Sequence, residues 1–201
     1  MRPKDLKLII NVGCGPPYGS WLPGMFDDWR TTRIDIDPAM EPDIVASAND
    51  LSQIESGTAD VVWSAHCVEH LFLHEVSQAI AEFHRVLKDD GFACIIVPDL
   101  QAIGSYIASD RIQQVIYQSP AGPVTVHDML FGYGPALEQG VASMAHRCGF
   151  TPTLMLDQLH KVAFAEVTVR RRTSLELAAV ACKTPSRNAA EREALLTALE
   201  L

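Results

Sequence analysis

The sequence predicts a three-layer α/β fold built on a mainly parallel sheet. Short apolar runs end at glycine loops, one clear amphipathic helix follows the fourth run, and one run is apolar throughout. Leu8–Val12, followed by Gly13-Cys14-Gly15-Pro16-Pro17, reads as a buried strand entering a tight loop. The stretch with Gly19, Pro23 and Gly24 is a poor helix. Residues 32–36 form the second expected strand, closed by Asp37-Pro38, and 43–46 a short third one, with too little chain between them for a full helix. A fourth is expected over 59–64. Val76, Ile80, Phe83 and Leu87 then recur on one stripe, which predicts a helix over 73–87 stopped by Asp90-Gly91. The run 92–97 is apolar on both faces, as a strand covered by helices on both sides should be.

Residues 99–150 differ in character. Leu100, Ile103, Tyr106 and Ile107 suggest a helix, and the remainder is punctuated by glycine and proline, so the segment is expected to be a lid-like insertion over the carboxyl edge of the sheet. Thr151-Pro152 is a helix opening, an N-cap followed by proline at the first helical position. Strands are expected over 167–169 and 175–182. The expected organisation is one domain over 1–183 and a helical tail over 184–201.

Composition narrows the partners. The chain has 201 residues, 48% hydrophobic and 20% charged, which fits an ordinary globular domain. The balance of 25 acidic and 16 basic residues, net −9, disfavours nucleic acid and anionic membranes, although Arg170, Arg171 and Arg172 form a local basic cluster. The five cysteines show neither a disulfide framework nor a zinc pattern. No secretory signal or membrane span is evident, so a cytoplasmic location is expected. A homodimer is left open.

Several residues carry chemistry. Gly13 and Gly15 let the backbone approach a ligand, with amide groups that could receive a carboxylate or phosphate. Asp35, twenty residues after Gly15, suits the paired hydroxyls of a ribose, while Asp37 reads as a turn residue. Asp50 and Leu51 offer a carboxylate and an amide to an adenine edge; the plainer role of Asp50 is a helix cap. Ala65 and His66 follow the fourth strand, where such sheets place active-site groups. His66 and His70 are candidates for a general base. Four residues apart, they could also share a metal, but no third ligand at a matching spacing is evident and no metal is expected. On the acceptor side the candidates are Asp99, Tyr106, His127, Phe131 and Tyr133, with His146 as a proton acceptor or, more plainly, a core histidine.

In combination these motifs resemble the class I S-adenosylmethionine-dependent methyltransferases, in particular their type 11 branch. The residues that carry the resemblance are Leu8–Gly15, Arg33–Pro38, Asp60–Ser64, Val68–Leu71, Glu82–Gly91 and Val97–Leu100, and the ending from His146 onward continues it. The resemblance implies a Rossmann-like seven-stranded sheet with an antiparallel last strand, S-adenosylmethionine as cofactor, and methyl transfer to an O, N or C nucleophile of a small-molecule acceptor. It implies that Asp35 holds the ribose, that Gly13, Cys14 and Gly15 border the methionine part, that Ile36 packs on the adenine, and that Asp50 and Leu51 meet its edge. The sequence departs from the pattern at Pro17, where many members have a third glycine, and in the short connections around its second strand.

Two other functions compete. An NAD-dependent oxidoreductase also uses Gly-x-Gly with an acid twenty residues on, but the third glycine of that fingerprint is missing. A catalytically silent cofactor-binding or scaffold protein would keep the fold without turnover.

Overall fold

The computed structural model describes residues 6–17, 22–185 and 189–199. Gly19 lies outside the described residues, as do Glu200 and Leu201 of the expected tail. One seven-stranded sheet forms the centre. In chain order its strands are β1 (Leu8–Val12), β2 (Arg30–Asp35), β3 (Ile44–Val45), β4 (Ala59–Ala65), β5 (Leu87–Pro98), β8 (Glu166–Arg171) and β9 (Glu176–Cys182), and their spatial order is β3-β2-β1-β4-β5-β9-β8. All neighbours from β3 to β5 pair parallel. Strand β9 runs antiparallel to both β5 and β8, so the last strand is the reversed one, as the resemblance implies.

The helix α1 (Leu73–Val86) buries Val76, Ala79, Ile80, Phe83 and Val86 against one face. Helix α5 (Pro152–Lys161) joins it there through Met155 and Leu159, so α1, α5 and the sheet share one apolar cluster. Each of the larger of these side chains, Ala79 excepted, contributes about 1.5–3 kcal/mol when removed from water. The Thr151 hydroxyl caps α5 by accepting the Leu154 amide, and Pro152 occupies the first turn as expected. The opposite face is covered by Phe26, Trp29 and the helix α6 (Ala189–Ala198), whose neighbourhood buries Leu196 and Leu199 with Trp63.

The sheet order fixes where a ligand can sit. The chain steps outward from β1 to β2 and β3, then returns to place β4 on the other side of β1. Beyond the carboxyl ends of β1 and β4 the connections diverge and leave a crevice.

Two boundaries differ from expectation. Asp90-Gly91 does not stop α1; the helix ends at Val86, and β5 begins at once with Leu87, a bulge in its pairing with β4 absorbing the extra residues. Gly91 has a packing role instead, because a Cβ there would lie 2.9 Å from the Asp60 carbonyl oxygen.

The second difference is in the insertion. It contains α2 (Leu100–Ile107), α3 (Val126–Phe131), α4 (Gly134–Glu138) and a separate ribbon of β6 (Val115–Ser119) and β7 (Gly122–Thr125). Pro123 in β7 hides this strand from sequence patterning, since proline is tolerated on a strand edge but not in a continuous ladder. Among the described residues no helix is long and apolar enough to cross a membrane.

Candidate active site

A cavity of about 1120 Å³ opens at the crevice. Its walls come from the loop after β1, the end of β2, residues 46–48 after β3, the turn after β4, the β6–β7 turn and the strand β9. That is roomier than many small-ligand sites, which run about 300–1,000 Å³.

The β1 loop is built by hydrogen bonds to β2. The Gly13 and Cys14 amides both donate to the Ile34 carbonyl, at 2.9 and 3.0 Å, and the Gly15 amide donates to Asp35 Oδ2 at 3.0 Å. Gly13 and Gly15 have φ of 69° and 59°, which favours glycine at both. The amides expected to receive a ligand carboxylate are therefore already committed. What the loop offers is close approach. The Gly15 carbonyl accepts from Arg33 Nη2, which also bonds the Met40 carbonyl, so Arg33 ties the loop to the turn after β2.

Asp35 lines the cavity with Ile36 beside it, half-open to the space. Besides Gly15, its carboxylate receives the Asp37 amide on Oδ1 at 3.0 Å. A carboxylate oxygen has two lone-pair directions, so one on each oxygen remains for ribose hydroxyls. Asp37 accepts the Ala39 amide and caps the short 3₁₀ turn Pro38–Met40, the turn role expected of it.

Of the nine expected cofactor contacts, seven line this cavity: Gly13, Cys14, Gly15, Asp35, Ile36, Ala65 and His66. Asp50 and Leu51 do not. The Asp50 carboxylate accepts the Ser52 amide, the capping role, and the buried Leu51 gives its amide to Glu82 Oε2 at 2.8 Å. Residues 46–48 stand at the cavity in their place.

His66 sits at φ 51°, a left-handed backbone rarely adopted outside glycine, which marks the turn after β4 as a place of stored strain. Its Nε2 lies 2.9 Å from Glu176 Oε1 and its Nδ1 lies 3.4 Å from Glu69 Oε1. Burial alone would lower its pKa, but the bonds to Glu176 and Glu69 outweigh it and hold the imidazolium well above the usual histidine range. Glu69 and Glu176 are held below theirs by the same cation, against the opposing effect of burial. A carboxylate at each ring nitrogen commits both sides of the ring, which argues against the general-base role expected of His66.

The acceptor-side expectations are corrected more broadly, because none of the five named residues lines the cavity. Asp99 is buried as the N-cap of α2, accepting the Gln101 and Ala102 amides, with Arg171 Nε 3.1 Å away. Tyr106 lies under the Arg111 guanidinium. His127 and Phe131 pack on each other, and the Tyr133 hydroxyl donates to the Ala121 carbonyl. His146 lies behind the cavity wall, its ring 4.8 Å from that of His70, with burial pushing its pKa down. The insertion does reach the cavity, through Tyr117–Ala121 and through Val141, Ser143 and Met144. Burial pushes the Tyr117 phenol up to about 12, so it is neutral.

Sequence reading missed Trp63, Arg147, Arg172 and Glu176. A tryptophan inside an apolar strand, charges beside the β8–β9 turn and an arginine in the irregular stretch before α5 carry no motif; only the fold brings them to one space.

Residues 10–95 match the family model of a methyltransferase domain. No curated protein sequence matches the chain. Among solved structures, a SAM dependent methyltransferase from Archaeoglobus fulgidus superposes with TM-score 0.56 at 14% identity, over 89% of this chain and 86% of that one. The 1,6-didemethyltoxoflavin-N1-methyltransferase of Burkholderia thailandensis does so with TM-score 0.54 at 17% identity, over 89% and 71%. The citrinin polyketide synthase CMeT domain gives TM-score 0.58 at 12% identity over 92% of this chain, which spans only 48% of that one. These identities show the fold alone. The chain thus shares the fold of S-adenosylmethionine-dependent methyltransferases, and residues 10–95 match the model of a methyltransferase domain.

Proposed function

We propose that the protein transfers a methyl group from S-adenosylmethionine to a nucleophilic atom of a small-molecule acceptor bound in the same cavity. The observation that carries this reading is the cavity itself. It joins the Gly13–Gly15 loop and Asp35 to walls from the insertion, and its volume of about 1120 Å³ leaves room for a second molecule beside a nucleoside.

The residues present fit the cofactor. The remaining lone pairs of Asp35 suit the ribose, Ile36 and residues 46–48 offer a surface for the adenine, and Gly13 and Gly15 border the space for the amino-acid part. Bound there, the cofactor supplies an electrophilic methyl group on a sulfonium, and the protein's task is positioning and exclusion of water. Trp63 and Ile96 offer an apolar floor at the ends of β4 and β5, and Tyr117 and Met144 wall the outer side. Arg147 and Arg172 place positive charge at the rim, which favours an acceptor with an anionic or carbonyl group.

Residue placement also supports a small acceptor over a nucleic acid, because the net charge is −9 and the insertion covers the site. The Burkholderia enzyme holds 1,6-didemethyltoxoflavin and S-adenosylhomocysteine together, an acceptor size this cavity admits. The five cysteines are all free, which fits a reducing cytoplasmic compartment.

Calorimetric titration with S-adenosylmethionine, S-adenosylhomocysteine and NAD tests the reading. Binding of the first two and not the third is expected. Binding of NAD alone would overturn it in favour of an oxidoreductase, and cofactor binding with no methyl transfer across a panel of small acceptors would favour the silent scaffold.

A further inference from the structure

We propose that Glu69, His70 and His146 form a binding site for one divalent transition metal of the zinc class, in the wall between the cavity and the insertion. Each offers a side-chain ligand atom, and the three atoms lie within 4.8 Å of one another. Two features beyond proximity point to a ligand there.

The first is a buried acid that only a long contact with His66 balances. The Glu69 residue is 0% exposed, and neither carboxylate oxygen has a hydrogen-bond partner. An ionised carboxylate stripped of water costs several kcal/mol unless something compensates it. The His66 ring at 3.4 Å supplies charge on one oxygen without a well-formed hydrogen bond. The other oxygen is left for a cation.

The second is the orientation of the two imidazoles. His70 Nδ1 is 3.2 Å from the Ala145 carbonyl oxygen, and His146 Nδ1 is 3.1 Å from the Met129 carbonyl oxygen. A carbonyl only accepts, so each ring carries its proton on Nδ1 and keeps a lone pair on Nε2. This is the outer-shell arrangement that fixes the tautomer of metal-binding histidines. Two rings prepared alike, edge to face beside a carboxylate whose second oxygen has no partner, bring three ligand atoms together.

The backbone holds the set in place. The Glu69 carbonyl accepts the amides of both Arg147 and Cys148, at 2.8 and 3.1 Å, which docks the His146 strand of chain onto the 3₁₀ turn Val68–His70. Ligand atoms on a tetrahedral zinc with bonds of about 2.1 Å stand about 3.4 Å apart, so the widest pair closes by about 1.4 Å or less. Small rotations of the half-buried His70 and His146 side chains cover that distance.

Two imidazoles select a borderline ion over magnesium or calcium, which take oxygen ligands. Three protein ligands leave a fourth position, and His70 lines the cavity, so that position faces the acceptor space. The site does not depend on the identity of the acceptor, and its test needs no turnover.

The experiment is calorimetric titration of chelator-treated protein with Zn²⁺, and with Co²⁺ followed by visible absorption. Wild type is compared with Glu69→Gln, His70→Ala and His146→Gln, and with His74→Ala as a control, because His74 stacks on Phe72 outside the set. The expected result is one ion per chain, the intense visible bands of tetrahedral Co²⁺, and weakening by about 100-fold or more in each of the three variants, since even outer-shell losses cost 10–100-fold. His74→Ala binds as wild type. Thermal melting identifies any variant that does not fold, and the remaining two then decide. No saturable binding by the wild type, or equal binding by folded Glu69→Gln and His146→Gln proteins, overturns the proposal. Neither result touches cofactor binding, which the titration with S-adenosylhomocysteine reads separately.

Discussion

Gly13 and Cys67 stand so close that only a hydrogen fits between them: a Cβ on Gly13 would lie 2.6 Å from the Cys67 Cβ and 2.7 Å from its Sγ. The loop after β1 and the turn after β4 are thereby packed back to back under the cavity. Gly13 also has φ of 69°, so a side chain there is strained by the backbone as well as by its neighbour. Gly13→Ala is expected to cost about 1–3 kcal/mol from the backbone alone, with a further cost from the contact. Urea denaturation reads the stability, and titration with S-adenosylhomocysteine reads the site. Adding Cys67→Ala removes Sγ but keeps Cβ, so it recovers only part of the loss. Full recovery in the double variant would show that the sulfur alone is the obstacle.

Asp35→Ala is expected to weaken cofactor binding roughly 10- to 150-fold, the loss of hydrogen bonds to a charged group worth about 1.5–3 kcal/mol. Because Asp35 also receives the Gly15 and Asp37 amides, the melting temperature falls with it. Asp37→Ala removes only the cap on Ala39 and leaves affinity close to wild type. A damaging Asp37→Ala beside a neutral Asp35→Ala would mean the cofactor is held by the other carboxylate.

Glu82 carries a pH dependence. Its carboxyl is held below the usual range, first by the hydrogen bond from Arg85, with the Leu51 amide adding to it and partial burial opposing it. A depressed folded pKa means the contribution is fully present above the unfolded value, about 4.3, and is lost as pH falls through the folded value. Urea denaturation from pH 7 down to about pH 3 is expected to show this loss on the acid side, and Glu82→Gln to remove it. An acid limb of the same steepness in the variant would assign it to other carboxylates.

On the proposed reading the acceptor meets the β6–β7 turn and Val141, Ser143 and Met144, which line the cavity. Gln118→Ala and Met144→Ala are expected to lower turnover of an identified acceptor while cofactor affinity stays within about threefold, under ~0.7 kcal/mol. His127→Ala and Phe131→Ala, whose rings face each other away from the cavity, leave both unchanged. Steady-state kinetics with paired calorimetry checks this, and equal loss of turnover and affinity would reject a separate acceptor role.

The sheet was legible because its strands are apolar runs and apolarity is local. Leu8–Val12 and Phe92–Val97 need no partner to be recognised. The place of Asp35 at the cavity was legible for a similar reason, since its distance from Gly15 is a property of the chain. Asp50 and Leu51 misled because the decisive partner, Glu82, comes from α1, thirty-one residues beyond Leu51. The third member of the Glu69–His70 cluster is His146, seventy-six residues after His70 and brought there by the Glu69 carbonyl, so no spacing rule reaches it. The acceptor-side aromatics failed more simply. A glycine-rich segment marks a lid, but which of its faces looks inward depends on a ribbon that Pro123 conceals.

The insertion leaves the sheet and returns to it at nearly one point. Asp99 and Phe150 form a parallel bridge, and the Leu100 amide donates to the Phe150 carbonyl at 2.9 Å, so the excursion between them is a closed loop with a knot of backbone at its neck. Loop-closure entropy grows only slowly with length, about 0.6 kcal/mol per doubling, so what hangs from such a neck can be lengthened or exchanged at small thermodynamic cost. Diversification follows from that geometry. A chain cut at Leu100 and Phe150 could receive a foreign excursion, and with it a new acceptor range, while the cofactor half of the cavity went on unchanged.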